Sequence, residues 1–298
     1  MGGDGVTDSR FGRVLRYPLV LLLIEFAAFA VVYVLAGQAG TRIEGLRNTP
    51  VQLLIVLACG AAAVWLYKVM GRRLERRTDD AFALPGAGRE YALGLAAGFA
   101  LFAAVVGAVA ALGGFTIDGV RGLGRLWAML AMAVATGLFE EVLFRGIMFR
   151  HVEAVAGSWV ALAVTSAFFG MAHLANPDAT WFAALAIAME AGILLGAAYM
   201  VTRRLWLACG LHTAWNFTQG WVFSAPVSGG KAPEGLLVTR LHGPEWLSGG
   251  AFGLEASAVA VVLVTAAGLA LLVRAVRRGN WVPVPWRRHA AGPRVHRG

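Results

Sequence analysis

Charge is what this chain has least of. Only 14% of its 298 residues are Asp, Glu, Lys or Arg, while 58% are hydrophobic. Soluble domains carry about 25% charged residues, so the composition excludes an ordinary water-soluble globule and implies a polytopic membrane protein. Cysteine is nearly absent. Cys59 and Cys209 both lie in apolar segments and build no disulfide framework. The sequence His-Glu-x-x-His does not occur, which removes a thermolysin-like zinc helix. No internal repeat of fixed period is present, and no paired interrupted helices of the kind that mark many transporters. Acidic residues are the scarcer sign, 17 against 26 basic, for a net charge of +9. In a soluble protein that excess would suggest nucleic acid. Here the arginines fall at the ends of apolar runs, where they set topology and touch anionic headgroups. Membrane lipids are the expected partner, and nucleic acid is not.

What is present is a series of long apolar runs. They predict an all-α fold, a polytopic transmembrane helical bundle of about eight spans, each near the ~20 residues a bilayer needs. The spans are expected at 18–36, 51–70, 91–112, 126–149, 159–174, 179–201, 205–223 and 254–273, the fifth and seventh being the shortest. The first run carries Glu25 and is long for a signal-peptide core, so it reads as a retained span. Residues 1–17 form a polar N-terminal tail, 18–273 the bundle, and 274–298 an Arg-rich tail with Trp281 and Trp286 as interface anchors. Residues 151–158 read as a short connection and 113–124 as a Gly-rich loop. Residues 224–253 read as a longer loop with a short interfacial piece around 236–241. With the N-terminus in the cytoplasm, Arg72, Arg73, Arg76, Arg77, Arg150, Arg203, Arg204 and the tail arginines fall inside. Arg42, Arg47, Arg121, Arg125, Lys231 and Arg240 fall outside. That bias follows the positive-inside rule and puts both termini in the cytoplasm of a multi-pass protein of the cell membrane.

The chemistry gathers where charge should not be. Glu140, Glu141 and Arg145 sit inside the fourth apolar run, where each ionised side chain costs roughly 2.5–3.5 kcal/mol at mid-bilayer. Glu141 and Arg145 are four apart and can pair on one helix face. Glu140 points about 100° away, without an obvious local partner. The fifth run ends in His173, one turn after Phe169, and the seventh carries His212 and Asn216, four apart. A carboxylate can take a proton from water, and a histidine can hold that water, protonate a leaving group or bind a metal. Asn216 can donate to a developing oxyanion. Glu190 is an unassigned intramembrane acid and a possible further site residue. Glu25 reads as structural or gating, and Cys209 as a buried inert thiol. His151, His242, His289 and His296 lie in loops or the tail and receive no role. Intramembrane acids also mark ion pathways, so a transporter is the second reading. A catalytically silent immunity or scaffold protein is the third.

Glu140-Glu141-x-x-x-Arg145, Phe169-x-x-x-His173 and His212-x-x-x-Asn216, in that order on three apolar segments, resemble the CPBP family. That family comprises the type II CAAX prenyl endopeptidases and related bacterial immunity and processing proteases. The resemblance covers about residues 126–223. It implies an intramembrane endopeptidase acting on a peptide or membrane-protein substrate. Glu140 would activate water with His173, and His212 with Asn216 would support the oxyanion. Glu141 and Arg145 would shape the site. The family is described both as metal-dependent and as a glutamate-type protease. A divalent metal such as zinc, if used, would take Glu140, His173 and His212 as its ligands and leave a fourth position open. Glu140 could not then also be the free base without help from Glu141. The direct Glu/His water mechanism is therefore the favoured expectation.

Overall fold

The computed structural model describes residues 14–42 and 44–284. Most of the expected N-terminal tail lies outside these residues, as do Trp286, His289, His296 and the arginines from 287 onward. Helices α1 (Pro18–Arg42), α2 (Pro50–Arg73) and α3 (Ala87–Ala111) come first, followed by strand β1 (Phe115–Val120). Helix α4 (Leu126–Glu141) runs into a π-helical segment, Val142–Phe149, and then α5 (Arg150–Ala172). Next come α6 (Trp181–Ile187), a π turn at Ala188–Gly192, and α7 (Ile193–Thr202). Helix α8 (Trp206–Phe217) ends in a π turn at Thr218–Val222 and leads to strand β2 (Leu237–Leu241), the short α9 (Glu245–Ser248) and α10 (Ala258–Arg277). The molecule is an all-α helical bundle with one small ribbon.

By length and composition six of these stretches can cross a membrane, at residues 18–37, 50–73, 87–111, 126–175, 181–202 and 258–277. The expected fourth and fifth spans are one continuous stretch of 50 residues. At ~1.5 Å per residue this is far longer than a ~30 Å hydrocarbon core. The chain turns back at Gly157, whose φ of 79° and ψ of 169° lie outside the helical region. A Cβ there would also meet the carbonyl oxygen of Val282 at 2.9 Å. Residues 151–158 are thus helix on either side of one glycine, not a loop. The expected seventh span is 12 residues of α-helix plus a five-residue π turn. It is buried by its neighbours rather than by lipid, and it carries the chain from the Arg204–Glu90 end of the bundle to the end where Ser224 bonds Leu237. Its Gly210 lets α3 approach so closely that a Cβ would lie 2.3 Å from the Tyr91 carbonyl oxygen. The reciprocal Gly94 would place one 2.4 Å from that of Leu207. Small residues at a helix crossing allow this contact.

The expected interfacial piece near 236–241 is a strand instead. β2 pairs antiparallel with β1, Phe115 opposite Leu241 and Val120 opposite Leu237, with an irregularity between Ile117 and Gly119. Val238 and Thr239 favour extended backbone, and the partner lies in what reads as a Gly-rich loop. Arg240 also bonds Asp118 across the ribbon.

The ribbon marks one end of the bundle. At that end Asn48 donates to the Gly124 carbonyl and Asn176 to that of Ser228. The opposite end is held by Arg150–Glu75, Arg203–Glu153 and Arg204–Glu90 ion pairs. His151, placed by sequence in a connection, is buried on α5 at this end. It contacts Glu25 of α1, which also receives Arg150. Glu25 is thus held in an ion-pair cluster.

Candidate active site

Glu141 and Arg145 pair as their spacing predicts, Nη1 to Oε1 at 2.8 Å, with both side chains 0% exposed. Arg145 does more than neutralise. Its Nη2 donates to the carbonyls of Ala191 and Gly192, each at 3.3 Å, and its guanidinium lies 4.6 Å from the Phe169 ring centre. One side chain therefore ties α4, α5 and the π turn before α7 together. Glu141 Oε1 also accepts from His212 Nδ1 at 2.9 Å, which fixes α8 against α4. The widened π-helical turns begin at Val142, directly after the acid pair. Such turns occur at functional sites because they re-aim side chains within a helix.

Glu140 has different surroundings. Its Oε1 accepts from the Tyr33 hydroxyl at 3.1 Å. Its Oε2 stands 3.9 Å from His212 Nε2. Tyr33 belongs to α1, and nothing in its sequence neighbourhood points to this role. His173 donates from Nδ1 to the Phe169 carbonyl at 2.7 Å. A carbonyl only accepts, so Nδ1 carries the hydrogen and Nε2 presents its lone pair. Asn216 donates from Nδ2 to Thr136 Oγ1 at 2.8 Å. Glu140, His173, His212 and Asn216 all line one cavity of ≈ 370 Å³, with Tyr33 and Lys231 on its wall. Glu141 and Arg145 stand behind them, outside the cavity.

Glu190 does not reach that cavity. It lines a small chamber of ≈ 30 Å³ with Glu255, and the chamber shares His173, His212 and Asn216 with the main cavity. That is room for a water molecule. Glu190 Oε2 is buried without a hydrogen-bond partner. Glu255 accepts from the backbone N–H of Ser228, a residue on the cavity wall. Burial pushes the Glu255 carboxyl above its ordinary value, opposed by the Ser228 hydrogen bond and the nearby His173. Glu255 falls at the start of what reads as the eighth span, and no spacing in the sequence connects it to the motifs.

Glu140 Oε2 and His212 Nε2 stand 3.9 Å apart, but with His173 they do not form a group whose ligand atoms all lie within 4.8 Å of one another. Among the described residues, the group of His, Cys, Asp or Glu whose ligand atoms all lie within 4.8 Å of one another is Glu25, Glu75 and His151. There the Arg150 guanidinium already occupies the carboxylates.

Residues 122–218 match the family model of the Rce1-like type II CAAX prenyl endopeptidases. This segment is about a third of the chain, and it is similar to that family. Neither the curated proteins nor the solved structures provide a match. The matched segment contains all three motifs, from the approach to α4 to Thr218, the first residue of the π turn after Asn216. Tyr33, Lys231 and Glu255 lie outside it, so this site is completed by parts of the chain beyond the family segment. Over that segment the chain is similar to the type II CAAX endopeptidases, and its apolar helices make a multi-pass helical bundle.

Proposed function

We propose that the protein is an intramembrane endopeptidase in which Glu140 and His173 activate water against a peptide bond of a membrane-associated peptide or protein. The observation that carries this reading is the single cavity lined by Glu140, His173, His212 and Asn216, which arrive from α4, the end of α5, and α8. Glu140 takes a proton from the water as its oxygen attacks the carbonyl carbon, while His173 Nε2 accepts a hydrogen bond from the same water. The carbonyl oxygen becomes an oxyanion. Asn216 Nδ2 donates to it, and so does His212 from Nε2 in its protonated form, flanked by Glu141 and Glu140. The carbon–nitrogen bond then breaks, and Glu140 returns its proton to the leaving amine. Glu141 holds the His212 ring, and Arg145 holds Glu141. Both termini lie in the cytoplasm, and lipid surrounds the bundle.

Purified protein in detergent, given an internally quenched peptide with a hydrophobic membrane-anchor segment and an internally quenched farnesylated CAAX peptide, tests the proposal. Glu140→Ala and His173→Ala should each lower cleavage by about 10²-fold or more, the range for lost acid–base groups. Undiminished cleavage in both variants would refute the assignment. Proton-coupled transport is the second reading, favoured by the buried Glu190–Glu255 pair beside two histidines. It predicts flux in proteoliposomes and no cleavage of either peptide.

A further inference from the structure

The two ends of this bundle differ in charge and in what they enclose. Arg72 and Arg73 end α2 and Arg76 and Arg77 follow it, Arg203 and Arg204 follow α7, and Arg274, Arg277 and Arg278 close α10. These segments meet at one end. Arg150 bonds Glu75 there, Arg204 bonds Glu90 and the Pro85 carbonyl, and Asn280 bonds the Val201 carbonyl. Few lysines or arginines occupy the ribbon end, and two of them are spent within it. Arg121 donates to the Gly235 carbonyl and Arg240 to Asp118. Lys and Arg in short connections stay on the cytoplasmic side, so the arginine-rich end faces the cytoplasm and the ribbon end faces away from it.

The cavity belongs to the ribbon end. One wall is a single face of α4, Met129, Met132, Thr136 and Glu140, which descends about 16 Å at the helical rise. Met129 is in the first turn at the ribbon end. The opposite wall comes from residues 227–233, and Asn176 completes the rim. No lining residue comes from the connections 74–86 or 203–205 at the arginine-rich end. We infer that the site opens on the extracytoplasmic side of the membrane. Its substrate is accordingly a membrane-anchored peptide whose scissile bond enters from that side, and not a lipidated cytoplasmic tail. The word substrate rests on the hydrolytic reading; the direction of opening does not.

The test uses the full chain in a Cys59→Ala/Cys209→Ala background, with one reporter cysteine at a time. Lys231→Cys reports the exposed cavity wall, Glu245→Cys a second exposed point at the ribbon end, and Thr78→Cys the exposed connection after α2. Intact expressing cells are treated with a membrane-impermeant maleimide. Lys231→Cys and Glu245→Cys should label and Thr78→Cys should not, until the cells are permeabilised. Labelling of Thr78→Cys in intact cells overturns the inference, and so does protection of both ribbon-end cysteines. If Lys231→Cys fails to fold, Glu245→Cys decides. Right-side-out vesicles should cleave externally added quenched peptide that sealed inside-out vesicles leave intact, and cleavage by the inside-out vesicles alone overturns the substrate assignment. If neither vesicle cleaves while the labelling pattern holds, the hydrolytic reading fails and the outward opening stands.

Discussion

Glu140 and Glu141 are neighbours in sequence with opposite environments. Glu141 is sealed between Arg145 and His212, whereas Glu140 keeps part of its surface in the cavity and, among the described residues, meets only Tyr33 at hydrogen-bond distance. Removing Arg145 takes away the guanidinium that neutralises the buried Glu141 carboxylate and leaves His212 as its partner. Breaking a buried pair in this way costs about 3–5 kcal/mol, so Arg145→Ala should unfold in detergent at a much lower denaturant concentration. Arg145→Lys should restore little, because a lysine cannot serve Glu141 and the carbonyls of Ala191 and Gly192 at once. Full recovery by Lys would contradict this. Glu255 gives a pH prediction. Burial holds its carboxyl above the ordinary value, so the native state keeps the proton to higher pH than the unfolded chain. Stability then falls as pH rises from the ordinary carboxylate range through the raised value. Glu255→Gln has no proton to lose, and its thermal midpoint should decline less over that window. Equal slopes would argue against the burial effect. At this scale the motif residues were legible because their pairing is local. Glu141 with Arg145, Phe169 with His173 and His212 with Asn216 are each one helical turn apart. Tyr33 and Glu255 were not legible, since their contacts to the site are made across more than a hundred residues or through a loop.

Among the elements, α8 carries the greatest constraint, because His212 and Asn216 ride on a short helix packed against α3 and α4. Gly94→Ala would force a Cβ to within 2.4 Å of the Leu207 carbonyl oxygen. Overpacking of this kind costs about 1–3 kcal/mol, and the shift of α8 should lower peptide cleavage as well as the unfolding midpoint. Gly107 on the same helix is the control, since a Cβ there meets nothing within 4 Å. Gly107→Ala should be neutral or stabilise α3 by about 0.5–1 kcal/mol. If both substitutions behave alike, the close approach of α3 and α8 is not what positions the site. Most helices were legible from apolar runs. The ribbon was not, because strands 115–120 and 237–241 are short and pair over a long separation. The turn at Gly157 read as a loop because a single left-handed glycine can reverse a chain without any loss of helix on either side.

For the whole molecule, charge placement and helix packing act together. The arginines hold one end of the bundle closed through ion pairs, and the polar groups of the motifs meet toward the other. Composition alone established that this chain belongs in a membrane, since 58% hydrophobic residues cannot be kept in water by 14% charged ones. The helical period established which polar residues share a face. Both are local or additive properties, so they survive without coordinates. Only the tertiary structure decided that His212 bonds Glu141 rather than standing free, that Tyr33 reaches Glu140, and that Glu140, His173 and His212 line one cavity. It also decided toward which end the cavity extends. These outcomes depend on the crossing of helices far apart in the chain, where small residues such as Gly94 and Gly210 set the spacing, and no periodicity along a sequence encodes that distance.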